Sequence, residues 1–126
     1  MEPRTLLAVP LVWAVLFMVP IFIYGALSAA TGLQPPGGNP ALFLTGTAIS
    51  KLGTAIAFVA VFHLGRDMIG PQWLLYVGIW WLMFALGELG QAITPDHSWQ
   101  EAAAGLISET IYFPVAGLIL VWLVRS

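Results

Sequence analysis

The sequence predicts an all-α integral membrane protein: a four-transmembrane-helix bundle with both termini on the same side. Three observations carry that prediction. Of 126 residues, 60% are hydrophobic and only 8% charged, whereas a water-soluble domain carries roughly 25% charged residues. The apolar residues gather into four runs, each long enough to cross a hydrocarbon layer about 30 Å thick at about 1.5 Å per helical residue. Between the runs lie short segments holding Pro, Gly, Asn, Asp and Ser, the residues that start and stop helices. Residues 1–126 are expected to form one domain with spans at approximately 5–30, 41–64, 72–93 and 99–124.

Each span has its own boundary chemistry. The first ends in Ala26-Leu27-Ser28-Ala29-Ala30, which superficially matches a signal-peptide cleavage site. Its apolar run is longer than such a peptide needs, and Glu2 offsets Arg4 ahead of it, so it reads as a retained span. Residues 31–40 form a loop by every local rule, and Asn39 followed by Pro40 suits an N-cap and a first helical residue, starting the second span. Residues 65–71 make a short turn containing Arg66 and Asp67. Pro71 then sits in the first turn of the third span, where no backbone donor is needed. That span stops at Thr94-Pro95, and Ser98-Trp99-Gln100-Glu101 is a capping box for the fourth.

Orientation follows from the arginines. Arg4, Arg66 and Arg125 fall on the side of the termini and the second loop, while the first and third loops have no Lys or Arg. Basic residues favour the cytoplasmic face, so both termini are expected there, in a membrane of the bacterial inner (plasma) type. Trp13, Trp73, Tyr76, Trp99 and Trp122 lie toward span ends and read as interfacial anchors. Trp80 and Trp81 are deeper and are expected to pack against helices or lipid.

Composition excludes several functions. A net charge of −2 with four Lys and Arg cannot build a phosphate-tracking surface, so nucleic acid is not an expected partner. The chain has no Cys, which removes disulfide and thiol chemistry. His97 with Asp96 and Glu101 offers three metal ligands at best, without convincing spacing. His63, Arg66 and Asp67 sit at a span end, where solvated structural roles are the rule.

The informative feature is a set of charges inside the spans. Lys51, Glu88 and Glu109 each cost roughly 2.5–3.5 kcal/mol at mid-membrane, so partners are expected. Counting from the outer loops at about 1.5 Å per residue puts Lys51 about 16 Å deep, Glu88 about 9 Å and Glu109 about 15 Å. Helical spacing adds Thr47, Ser50 and Thr54 beside Lys51, and Gln91 beside Glu88. On the fourth span Glu101, Gly105, Ser108 and Tyr112 share the face of Glu109, and the first span contributes Tyr24 and Ser28. The inner halves hold almost nothing comparable. A polar pocket in the outer half is therefore expected, with Lys51, Glu88, Gln91, Glu109, Tyr112, Tyr24 and Ser50 as ligand-binding candidates. One ammonium cannot neutralise two carboxylates, so one carboxyl is expected to hold a proton. Pro114 and Pro20 leave backbone acceptors free within their spans, and Pro114 does so a turn from Glu109.

A faint internal repeat pairs Gly25-Ala26-Leu27 with Gly87-Glu88-Leu89, and Ile49-Ser50-Lys51 with Ile107-Ser108-Glu109, as a duplicated hairpin would. The charges also admit a structural role, as an ion pair that sets helix register. Function reads first as binding a small, apolar molecule, or as an accessory subunit of a membrane complex. A second reading is a proton- or ion-coupled transporter acting as an oligomer. A third is an intramembrane acid/base enzyme on a lipid-like substrate, with Glu88, Glu109, Lys51 and Tyr112 as its chemical groups. Membrane lipid and a homo-oligomeric or larger assembly are the expected partners; no cofactor is indicated by any motif.

Overall fold

The computed structural model describes residues 2–31, 40–93 and 99–125, with side chains placed for 2–27, 41–93 and 99–124. It is all helical. The elements are α1 (Pro3–Thr31), α2 (Pro40–Leu64), the short α3 (Arg66–Ile69), α4 (Trp73–Ala92) and α5 (Trp99–Leu120). A 3₁₀ turn, Gly70–Gln72, joins α3 to α4, and one wider turn, Val121–Arg125, extends α5. Four of these stretches are long and apolar enough to cross a membrane: Pro3–Leu27, Ala41–Leu64, Arg66–Ala92 and Trp99–Val124. The ends agree with those expected to within about three residues except at the third stretch, which begins six residues before 72 because the expected turn at 65–71 folds largely as α3 and the 3₁₀ turn. The proposed caps at Asn39 and Ser98 lie outside the described residues.

Prolines do not break the helices. α1 runs through Pro10 and Pro20, and α5 through Pro114. Each ring removes one backbone donor, which a helix tolerates when neighbouring groups re-satisfy the freed carbonyl.

α5 is the central helix. Half of its span-length window is buried, against 17–22% for the other three. Its buried positions include Ala102, Ala104, Gly105, Ser108, Ala116 and Gly117, small residues that let other helices approach closely. α1 and α4 pack along it, and α1 also packs along α2. At Gly117 a side chain would collide with Val77 and the Trp73 ring of α4, so this glycine sets the α4–α5 approach.

Aromatic rings join α2 to α4 and α5. Phe58 of α2 has ring-centroid distances of 5.1 Å to Tyr76, 5.4 Å to Trp80 and 5.7 Å to Phe113, within the range in which ring quadrupoles attract. Tyr76 donates its hydroxyl hydrogen to the Phe58 carbonyl. Tyr76 is therefore a buried strut rather than the interfacial anchor its position suggested. Trp13 differs in the same way: its indole N–H donates to the Ala48 carbonyl at 2.9 Å, tying α1 to α2. Trp99 and Trp122 are exposed, as anchors would be.

One end of the bundle is closed by basic side chains on helix carbonyls. Arg4 donates to the Trp122 carbonyl at 2.8 Å, and Arg66 donates to the His63 carbonyl at 2.9 Å. Both carbonyls belong to last turns, where cations complement the helix dipole. The buried Thr5 hydroxyl meets His63 Nδ1 at 3.3 Å. The start of α1 and the ends of α2 and α5 thus come together, and His63 serves this closure. Elsewhere large apolar side chains are widely exposed: Phe22, Leu42, Leu64 and Leu74 are all at least 65% exposed. An apolar exterior around buried charges is the arrangement a lipid solvent favours.

Candidate functional site

Lys51, Glu88 and Glu109 act on one another electrostatically, and every long helix contributes to their surroundings. Lys51 comes from α2, Glu88 from α4, Glu109 and Tyr112 from α5, and Tyr24 from α1. α5 places its members by periodicity, since Glu101, Gly105, Ser108, Glu109 and Tyr112 recur every three or four residues along one buried stripe.

Glu109 lies at the bottom of the cluster. It is 1% exposed, and neither carboxylate oxygen has a hydrogen-bond partner among the described residues. The charged groups acting on it most strongly are the Glu88 carboxyl and the Lys51 ammonium. Two carboxylates are both acceptors, so they hydrogen-bond to each other only when a proton lies between them.

The position of Glu88 depends on a missing side chain. Its carboxyl lies directly over Gly105, where a methyl group would overlap it. Gly105 is one turn before Glu109 on the same face, so the glycine admits the α4 carboxyl to within a turn of the α5 carboxyl.

Lys51 is turned toward aromatic rings and a phenol. Its ammonium donates to the Tyr112 hydroxyl at 3.0 Å and lies 4.9 Å from the Tyr112 ring centroid and 5.3 Å from that of Phe84. Ring faces attract cations at such distances, more strongly where water is excluded. Tyr112 is itself buried, with its ring 4.7 Å from that of Phe113. Phe84 was not among the expected site residues. It stands one helical turn before Glu88, so the same spacing that joined Gln91 to the site also pointed to Phe84.

The remaining candidates are less central. Tyr24 is near Glu88, Glu101 and Glu109 electrostatically, and its hydroxyl donates to the Glu101 carbonyl at 3.4 Å. Gln91 is exposed, and the Ser50 side chain is on the outer surface of α2. The hydroxyls of Thr47, Thr54 and Ser108 donate to carbonyls one turn back, at 2.8, 3.2 and 2.7 Å. Their single hydrogens are therefore committed within their own helices. Asp96 and His97 lie outside the described residues, as does the side chain of Ser28. Among the described residues no group of three His, Asp or Glu is placed to hold a metal ion.

The fold is a bundle of four membrane-length helices in which the Glu109 carboxyl is buried while Lys51 and Glu88 are partly exposed. Comparison with protein-family models, curated proteins and solved structures finds no match. The chemistry therefore has to be argued from these side chains alone.

Proposed function

We propose that this chain crosses a bacterial inner membrane four times, with Arg4, Arg66 and Arg125 facing the cytoplasm, and binds a small molecule at the Lys51–Glu88–Glu109–Tyr112 cluster. The arginines support the orientation through the preference of basic residues for the cytoplasmic face. The observation that carries the binding role is Glu109, whose carboxyl is buried and, among the described residues, meets no hydrogen-bond donor unless it shares a proton with Glu88. A buried polar group without a partner costs about 1–3 kcal/mol or more when charged. A ligand that supplies the missing contact recovers that energy on binding.

Native mass spectrometry of the protein gently extracted from its own membrane tests this. The expected spectrum contains a small-molecule mass that disappears in Glu109→Gln. A spectrum showing the chain only with other polypeptides, and no small molecule, would make it an accessory subunit and the charges a clasp between helices.

One observation favours a second reading. The Lys51 ammonium acts electrostatically on two carboxyls, an arrangement suited to proton exchange, and in an oligomer it would serve coupled transport. Flux into liposomes with no dependence on the proton gradient would remove that reading.

A further inference from the structure

The charge balance of the cluster narrows what the ligand can be. Lys51 supplies one positive charge between the two carboxyls of Glu88 and Glu109. An anionic ligand would add to an existing excess of negative charge. A neutral one would leave the deficit for a proton to fill and so would gain nothing from the charge of the site. What both the charge count and the bare oxygens of Glu109 require is one added positive charge bearing its own hydrogen.

The site already accommodates such a group in its own chain. The Lys51 ammonium sits against the faces of Phe84 and Tyr112 and donates to a phenol. Aromatic faces beside carboxyls suit an ammonium that carries an apolar body. We propose that the cluster is a seat for one exchangeable positive charge, taken by a proton or by the ammonium group of a small apolar amine, with Glu109 as the carboxyl that receives it. This rests on the small-molecule role proposed above and specifies its chemistry. The two occupants are mutually exclusive, because either one alone completes the charge balance. The titratable groups facing Glu109 are Tyr24 from α1, Lys51 from α2, Glu88 from α4 and Tyr112 from α5 itself.

Titration calorimetry on the purified full chain in detergent micelles tests the proposal, with benzylammonium as probe and benzyl alcohol as its neutral counterpart. Run in two buffers of different protonation enthalpy, benzylammonium is expected to bind with release of one proton. Its affinity should fall about tenfold for each pH unit over which the cluster is protonated. Benzyl alcohol should give no binding heat, and Glu109→Gln should abolish both the binding and the proton release.

Thr45→Val, on the exposed face of α2 and outside the cluster, should retain the amine; its loss would overturn the proposal. Binding of benzylammonium without proton release, or unchanged in Glu109→Gln, would overturn it as well. Benzyl alcohol binding as tightly as benzylammonium would preserve a binding site but refute its choice of charge. No heat from benzylammonium, with an infrared carboxylic-acid band that is lost in Glu109→Gln, would make the proton the sole occupant and overturn the amine. No bound small molecule in the native spectrum and no heat from either probe would remove the binding role itself.

Discussion

A glycine, a phenol and a carboxyl set the geometry around the buried charges. Gly105 lets the Glu88 carboxyl lie against α5. Gly105→Ala would force that carboxyl aside, and overpacking of this kind costs about 1–3 kcal/mol. Thermal unfolding in detergent should show the loss, and Glu88→Ala in the same chain should relieve part of it. Tyr112 accepts a hydrogen bond from the Lys51 ammonium. Tyr112→Phe keeps the ring and removes the oxygen, so the cation loses its acceptor in a buried setting at a cost of about 1.5–3 kcal/mol. If that substitution left the unfolding midpoint unchanged, Lys51 would have to be satisfied by another group. That Lys51, Glu88 and Glu109 each need a partner was legible in the sequence, since charges inside a span are costly. The turn of Lys51 toward Tyr112 and Phe84 was not, because it depends on which rotamer the facing helices leave open.

Among the elements, α5 has the organising role, and its small residues explain why. A helix with Ala, Gly or Ser at six of its eleven buried positions presents a shallow surface there, so α1 and α4 can come close on either side. Gly117→Leu would place a branched side chain where Val77 and Trp73 now sit. It should lower stability by more than Gly105→Ala does, and the α4–α5 spacing read by cross-linking should widen. The tie between α1 and α2 is of another kind. Trp13 donates from one helix to a carbonyl of the next, and Trp13→Phe should cost about 0.5–2 kcal/mol by removing it. Spacing alone did not reveal this bond. Trp13 sits near enough to a span end to pass for an anchor, and only the neighbour it faces distinguishes the two roles. Tyr76 was misread for the same reason, as it too lies near a span end while its ring packs on Phe58.

At the scale of the molecule, the absence of Cys from the sequence makes orientation directly measurable. Asp67→Cys and Ser98→Cys can be labelled one at a time without background. With a membrane-impermeant maleimide on intact cells, the residue at 98 should react and that at 67 should not until the membrane is opened. The reverse pattern would invert the proposed orientation. The surface is consistent with such a placement, since large apolar side chains cover all four long helices while the charges lie between them.

What the sequence determined by itself was the number, length and approximate ends of the helices, because span length and helix-stopping residues are local properties. It also determined that Lys51, Glu88 and Glu109 need compensation, because charge and depth can be counted along the chain. Which groups supply that compensation was decided only by tertiary structure. Ser50, Gln91 and Thr47 share faces with the charges, yet the first two are exposed and the last donates to its own helix. Phe84 and the space above Gly105 enter the site instead. Helical periodicity specifies a face to within about 100°, whereas a contact depends on how the facing helix is rotated and how closely it approaches. Those quantities are set by the packing of small residues along α5.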